Sequence, residues 1–208
     1  MKKRIAIFTI LCMCSASLFA LDLSAGLGGN FTANFRTWST NSEYFTADDI
    51  NSTLVGGGFY GFVDATYAEV NLGFLFGNEK FGKNDNKGIN ITALKLGLFG
   101  KYPINLGAFS IFPIFGIDGQ IALAASSDTD GHIIDYYSPG DLFSQFWFKF
   151  GAGLDIPTAN EKYYIRFSFL YGFRPNTKFE EDGLAEAGLK SVVNHGLDIK
   201  LAIGYKLY

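Results

Sequence analysis

The sequence has little cysteine: only Cys12 and Cys14 occur among its 208 residues, both near the N-terminus. They lie in MKKRIAIFTILCMCSASLFA, which has the basic start, apolar centre and small-residue end of a secretory signal peptide and is too short to anchor in a membrane. We therefore predict a cleaved signal peptide over residues 1–20. Leu11 and Met13 are too large for lipoprotein processing at either cysteine. The mature chain would have no cysteine, which excludes disulfides and thiol catalysis.

The sequence is also short of positive charge. It has 17 Lys and Arg against 20 Asp and Glu, and loss of Lys2, Lys3 and Arg4 with the signal peptide leaves 14 against 20, a net charge of −6. Nucleic acids and anionic lipid head groups attract basic surfaces, so this balance argues against both as partners. We expect no nucleic-acid partner.

The third absence is a long apolar run. No stretch of 20 apolar residues occurs, so no helix is expected to cross a membrane. The full sequence nevertheless contains 22 Phe, 11 Tyr and 25 Gly. An exported chain of this composition without a spanning helix favours a β-protein, and a barrel surrounded by lipid is one candidate. The length predicts one domain, residues 21–208.

Alternation of apolar and polar residues is the strongest positive signal. In LDLSAGLGGNFTANFR, residues 21–36, the odd positions are apolar or glycine and the even positions are polar or glycine. A period of two predicts a strand with two unlike faces, and 16 residues far exceed the usual strand of about five or six. Seven similar segments follow, at 54–64, 67–77, 90–102, 109–118, 145–156, 163–174 and 195–208. The faces of 54–64 are blurred by three consecutive glycines.

The connections between these segments alternate in length. Short connections are expected at 64–66, 103–107 and 157–161, and longer polar ones at 37–52, 78–88, 124–143 and 175–193. This alternation around eight strands predicts an all-β fold, an eight-stranded antiparallel up-and-down transmembrane β-barrel with its short turns facing the periplasm. A soluble lipocalin-like barrel is the alternative. It gives no reason for rows of Phe, Leu and Ile on one face of nearly every strand.

Pro113 is the one residue that conflicts with its strand. It lies in the apolar row of Phe109, Ile111, Phe115 and Ile117, and proline cannot donate a ladder hydrogen bond. Because the alternation has the same phase on both sides of it, we expect no bulge there. The prediction is a lipid-facing proline in register, with one ladder bond missing.

Charged side chains on the inward face should be paired, because an isolated charge in a barrel interior is costly. On the neighbouring strands 90–102, 109–118 and 145–156, the residues Lys95, Asp118 and Lys149 lie at similar heights if the short turns are aligned. We expect them to form a polar cluster with Glu69 nearby.

A second cluster is expected across the last two strands. It would contain Arg166, Asp198 and Lys200. Both clusters are interpreted first as salt bridges that fill the lumen, and a gate or a solute-selective constriction is the alternative. The many inward glycines are interpreted as space for bulky inward neighbours, with a narrow open lumen as the alternative.

Catalytic residues are not evident. A lipid A deacylase of the outer membrane has a serine two residues after its histidine. Here the residue two positions after His132 is Ile134, and the residue two positions after His195 is Leu197. Loop 124–143 gathers Ser, Asp and His residues from which a palmitoyltransferase-like set or a calcium site could be drawn, although a solvated acidic loop explains it as well. We expect no enzyme activity, no cofactor and no metal.

The final residues, IGYKLY, resemble the C-terminal strand signal of outer-membrane proteins. GYKL matches that signal in phase, and Tyr208 lies one residue beyond the outward row. The whole mature chain resembles the small eight-stranded outer-membrane proteins of the OmpX/OmpW type in length and strand rhythm. The resemblance implies a location in the bacterial outer membrane, with its lipid and the barrel-assembly machinery as partners.

The same resemblance implies two kinds of function. One is surface binding or adhesion, or a purely structural role. A host or surface ligand would bind at loops 37–52 and 124–143, whose aromatic residues include Trp38, Tyr44, Phe45, Tyr136 and Tyr137. The other is a narrow channel for small, hydrophobic solutes, which the inward apolar residues Phe112, Ile114 and Leu170 would suit.

Overall fold

The computed structural model describes residues 22–41, 46–82, 88–127, 144–178 and 188–207. The expected signal peptide lies outside these residues. The strands and the single short helix are β1 (Leu23–Thr40), α1 (Ala47–Ile50), β2 (Ser52–Ala65), β3 (Ala68–Phe81), β4 (Gly88–Lys101), β5 (Ile104–Asn105), β6 (Ser110–Ser127), β7 (Gln145–Pro157), β8 (Tyr163–Lys178) and β9 (Leu189–Lys206). Among the described residues, none forms a helix with the length and apolar character needed to cross a membrane.

Eight long strands close into an antiparallel up-and-down barrel. The order is β4-β3-β2-β1-β9-β8-β7-β6, and pairing of β4 with β6 completes the ring. The two-residue strand β5 lies in the connection between β4 and β6 and pairs with the start of β6. Because the ring is closed, its backbone ladder has no open edge. This is the fold that the alternation predicts.

The outer surface of the barrel is apolar, whereas charged side chains are buried in its interior. Leu27 is 75% exposed and Phe115 68%, whereas Arg166 and Asp198 are each only 1% exposed. Side chains alternate between the two faces of a strand, so the apolar rows point away from the lumen. A continuous outward apolar band is the surface that lipid requires. A lipocalin-like barrel would have the opposite arrangement.

The strands are longer than the alternation indicates. β1, β6 and β9 each contain 18 residues, which at about 3.3 Å per residue and a tilt of roughly 40° gives a height of about 45 Å. The apolar band of such barrels is only about 25 Å tall. The long connections therefore begin later than expected, since β1 continues to Thr40 and β8 to Lys178.

The three short connections mark one end of the barrel, called the short-turn end below. Thr66 and Glu161 adopt positive φ angles of 34° and 41°, and Gly107 has a φ of 88°. A left-handed residue reverses the chain within a few residues, and glycine does so without steric cost. The segment with uncertain faces, 54–64, has Tyr60 and Phe62 buried inside and odd-numbered residues outside.

Pro113 is exposed on the outer surface and pairs in register with Ala152 of β7, without a bulge. Its carbonyl accepts a hydrogen bond from the N–H of Tyr102, at 3.2 Å. Tyr102 lies just beyond the end of β4, and the next paired residue on that side is Ile104 of β5. In an antiparallel ladder the N–H and C=O of a residue point to the same neighbour. The N–H that proline lacks would therefore point to the break between the long β4–β6 ladder and the short β5–β6 ladder, where its loss interrupts neither of them.

Candidate functional site in the barrel lumen

The lumen near the short-turn end is organised by Arg166 of β8. Its guanidinium donates to both carboxylate oxygens of Asp155 on β7, at 2.7 and 2.6 Å. It also donates to Glu69 of β3 and to Asp64 of β2, each at 2.6 Å. The planar fork of arginine suits this role, since it can serve several carboxylates at once. One buried cation thereby joins four strands.

Aromatic rings surround this guanidinium. Its carbon lies between 4.7 and 5.1 Å from the ring centroids of Phe62, Phe112 and Tyr164. Two inward glycines make room for the rings, because a Cβ on Gly153 would overlap Phe112 and a Cβ on Gly204 would overlap Tyr164. These two glycines are therefore space for bulky neighbours.

Lys101 completes this group. Its ammonium pairs with Asp64 and lies 4.9 Å from the centroid of the Phe112 ring. Beside it, the hydroxyls of Ser24 and Tyr164 form a hydrogen bond of 2.8 Å. We call the residues Asp64, Glu69, Lys101, Asp155 and Arg166 the lower tier.

A second group lies farther from the short turns. Lys149 forms ion pairs with both Asp118 and Asp198. The ammonium of Lys95 lies 3.2 Å from Asp198 and 3.5 Å from Asp118. The hydroxyl of Thr32 donates to Asp198 at 2.6 Å and accepts from Lys95 at 3.2 Å. We call the four charged residues of this group the upper tier.

Lys200 belongs to neither set of ion pairs. Among the described residues no carboxylate lies within 4.0 Å of its ammonium, which instead sits 5.1 Å from the Tyr60 ring centroid and 4.9 Å from that of Phe99. With Lys200 included, the interior charges of the two tiers balance, at five positive and five negative. The lumen is therefore close to neutral although it is densely charged.

The structure groups the seven expected lumen residues differently from the prediction at three positions. Lys200 was expected beside Arg166 and Asp198, but among the described residues it forms no ion pair with a carboxylate. The structure brings together Lys95, Asp118 and Lys149. Glu69, expected beside these lysines, contacts Arg166, and Asp198, expected beside Arg166, contacts the lysines. The physical reason is height along the barrel, because adjacency of two strands does not place their charges at one level.

Counting residues from the short-turn end of each strand separates the tiers. The lower-tier residues lie within three residues of that end: Lys101 at zero, Asp64 and Glu69 at one, Asp155 at two and Arg166 at three. The upper-tier residues and Lys200 lie six or eight residues from it. Lys101 and Asp155 fall on the inward rows of the sequence and were not singled out. Asp64 falls in the short connection expected at 64–66 and was therefore missed. Thr32 was missed because it has no charge.

Both tiers cross the full width of the barrel. In the ring of eight strands, β4 and β9 stand opposite each other, as do β3 and β8. The pair between Lys95 and Asp198 joins the first two, and the pair between Arg166 and Glu69 joins the second two, at 3.2 and 2.6 Å. An ion pair between opposite strands lies across the axial route that a solute would take through the lumen.

A cavity of about 370 Å³ opens at the short-turn end and stops at the lower tier, where Asp64, Lys101, Asp155 and Arg166 line it. Toward the long loops the interior becomes apolar on one side. The buried residues there are Leu54, Leu75, Ile89, Ile91, Ala93 and Ala122. The three apolar residues proposed for a channel, Phe112, Ile114 and Leu170, pack together with Phe99 and are buried.

Most of the candidate catalytic residues, including His132, belong to 128–143 and lie outside the described residues. His195 is on the outward row, with its ring centroid 5.5 Å from that of Phe35. Within the described ranges, no group of three His, Cys, Asp or Glu side chains could hold a metal ion. Of the loop aromatics, Tyr44, Phe45, Tyr136 and Tyr137 are likewise outside those ranges.

Comparison with known proteins supports the fold. No protein-family model and no curated protein matches the sequence. Among solved structures, the outer membrane protein AlkL in lipid bilayers is 11% identical with a TM-score of 0.50, and the match covers 90% of each chain. E. coli outer membrane protein W is 13% identical with a TM-score of 0.48, and the match covers 90% of this chain and 98% of that protein. Neisserial surface protein A is 6% identical with a TM-score of 0.42, and the match covers 88% of this chain and 99% of that protein. The closed ring of strands and the likeness to AlkL show the fold of a small eight-stranded outer-membrane β-barrel, and the chain resembles the OmpX/OmpW type.

Proposed function

We propose that this chain is a non-enzymatic integral protein of the bacterial outer membrane, exported with a cleaved signal peptide, whose lumen is closed and whose outer loops carry its function. The observation that supports closure is the pair of ion-pair tiers between opposite strands. Lys95 reaches Asp198 in one tier, and Arg166 reaches Glu69 in the other. All four side chains are at most 9% exposed, so a hydrated solute would have to separate buried charges in order to pass.

The test of closure is solute flux. Liposomes that contain the refolded barrel should take up sugars and amino acids no faster than protein-free liposomes in a swelling assay. Swelling that depends on the protein and on solute size would contradict the proposal. Cell fractionation tests the location, and recovery with the inner membrane would contradict it.

The outer loops are the parts of such a barrel that reach the medium. Strands β1 and β6, which lead into loops 37–52 and 124–143, are about 20 Å taller than the apolar band, so both strands end well above the lipid. Loop 37–52 is braced, because the N–H of Asn41 donates to Gly188 and the N–H of Gly82 to Asn51, both at 2.8 Å. Loops carried on a rigid scaffold are the usual place for recognition.

Adhesion of cells that express the barrel tests this part of the proposal. Replacement of either loop by a short Gly-Ser linker should abolish adhesion to host cells or surface ligands, while the heat-modifiable gel mobility of the folded barrel is retained. Undiminished adhesion after both replacements would contradict the role of the loops in adhesion, and a structural role would be the remaining interpretation. We also propose that β9 engages the assembly machinery, since Leu207 continues its outward row and is 45% exposed.

Passage of small apolar solutes is the second candidate. The observation that favours it is the apolar cluster in the loop half of the lumen, which includes Leu54, Leu75 and Ile91. An apolar molecule could bind such a surface without disturbing either ion-pair tier. Uptake of an apolar fluorescent probe by cells with and without the protein tests this candidate, and equal rates would eliminate it.

A further inference from the structure

A second, much smaller cavity lies inside the barrel between the upper tier and the long loops. It has a volume of about 10 Å³ and is lined by Asn34, Arg36, Glu79, Gln145, Trp147 and Asn194, together with Phe35 and Leu54. This is about the volume that a single water-sized group needs. Five of its eight lining residues have charged or amide side chains, which distinguishes it from the apolar cluster beside it.

Three buried polar atoms on these lining residues have no hydrogen-bond partner among the protein groups the structure describes. They are Oε2 of Glu79, Nε1 of Trp147 and Nδ2 of Asn194. Each residue is only 2 or 3% exposed. A buried polar atom without a partner is costly and uncommon, so three at one cavity call for a shared explanation.

The other polar atoms of the same side chains are already engaged. Oε1 of Glu79 accepts from the hydroxyl of Ser52 at 2.5 Å and pairs with Arg36 at 3.2 Å. Oδ1 of Asn194 accepts from Nε of Arg36 at 3.3 Å. These contacts hold the side chains of Glu79 and Asn194 in place beside the cavity that both residues line.

The unpartnered atoms define the chemistry of an occupant. The indole N–H and the amide NH₂ are donors, whereas the carboxylate oxygen is an acceptor. An ammonium ion would satisfy Glu79 but would face two donors, and a carboxylate or phosphate would be repelled by Glu79. A hydroxyl group or a water molecule both accepts and donates, and it alone satisfies all three atoms.

We infer that this cavity is a binding site for one hydroxyl-sized group, held by Glu79, Trp147 and Asn194. In the free protein the group is a water molecule, and a hydroxyl of a polyol or sugar can take the same place. Because these residues stand on β3, β7 and β9, the bound group joins three strands that do not neighbour one another. It would form a third cross-link above the two ion-pair tiers.

NMR of the refolded protein in lipid nanodiscs tests this site. The chain has two tryptophans, so their indole N–H signals can be assigned with W147F and W38F, and Trp38 serves as the reference outside the cavity. We expect a persistent cross-relaxation peak between water and the Trp147 N–H. If a solute hydroxyl can replace the water, titration with glycerol or glucose should shift the Trp147 signal and leave that of Trp38 unchanged.

Either a water contact or a polyol contact at Trp147 supports the site and distinguishes its two occupants. A Trp147 N–H with neither contact overturns the inference. A crystal structure of the unmodified protein provides a check that needs no variant, since one oxygen atom should lie within about 2.7–3.2 Å of all three atoms. An oxygen that reaches only one of them would also overturn it. Neither result depends on solute flux or adhesion.

Discussion

Replacement of Arg166 by methionine would remove the only buried cation among the described residues that contacts Glu69 and Asp155. The guanidinium makes hydrogen bonds of 2.6–2.7 Å to three carboxylates on three other strands. Methionine replaces the aliphatic stem of arginine and lacks the guanidinium, so the change removes the charge and keeps the packing of the stem. The expected result is a large loss of folding stability.

The three carboxylates would not be destabilised equally by the loss of the guanidinium. Asp64 keeps its ion pair with Lys101, and the side chain of Asp155, which is 19% exposed, can be hydrated from the cavity at the short-turn end. Glu69 is 3% exposed, and among the described residues it retains only the hydrogen bond from the side-chain amide of Asn71, at 3.1 Å. Loss of one partner from a buried ion pair costs about 3–5 kcal/mol. We expect a loss in that range for R166M, governed mainly by Glu69.

Urea unfolding in lipid vesicles, followed by tryptophan fluorescence, measures this change. K200M is the matched control, because it also removes one buried positive charge from the lumen but breaks no ion pair. Its cost should stay below about 2 kcal/mol, the size of a desolvated cation–π contact. A loss of less than about 1 kcal/mol for R166M, or one no larger than that for K200M, would refute the reasoning.

A double-mutant cycle separates the charge effect from packing. E69Q alone should destabilise the barrel, because it weakens a bond to Arg166. In the R166M background the same substitution should restore stability, since it neutralises the carboxylate left without a partner. If E69Q destabilises both backgrounds equally, Glu69 and Arg166 are not coupled in the way the distance of 2.6 Å indicates.

Three further predictions concern other parts of the barrel and use the same unfolding assay. K149M should cost about 3–5 kcal/mol because it takes a shared cation from two buried aspartates; a near-neutral result would contradict the upper tier. G151A should cost about 1–3 kcal/mol, because the added Cβ would overlap a backbone carbonyl of the next strand. G119A is its control: the atom nearest to the added Cβ is 3.7 Å away, so stability should change by less than about 0.5 kcal/mol. P113A should change stability by less than about 1 kcal/mol. I117P removes a hydrogen bond from an intact ladder and should cost about 1–3 kcal/mol or more. Equal effects of the two substitutions would show that Pro113 does not lie at a ladder break.

The strands and their faces could be predicted from the sequence because alternation reports which face meets lipid at every second residue. Segment 54–64 was the exception, since its glycines carry no preference and only pairing with both neighbours fixes Tyr60 and Phe62 inside. Strand ends were underestimated because, above the membrane, neither face has to be apolar. There β1 continues through Trp38 to Thr40 without the signal that the alternation provides.

The partners within the lumen were harder to predict than the strands. Inward direction follows from parity, but contact also requires equal height, and that depends on how far each residue lies from the short-turn end. Glu69 lies one residue from that end and Lys95 six, a difference of about 16 Å along the strands. The small polar cavity could not be predicted at all, because Glu79, Trp147 and Asn194 come from three strands that do not pair with one another.

Closure of the lumen is the central claim, and single-channel recording in planar lipid bilayers tests it most directly. The wild-type barrel should insert without producing current steps, because both ion-pair tiers join opposite strands. A variant in which Lys95, Lys149, Arg166 and Asp198 are all replaced by alanine, and which retains the gel mobility of a folded barrel, should produce steps. Stable current steps from the wild-type protein, as large as those of the variant, would contradict the account.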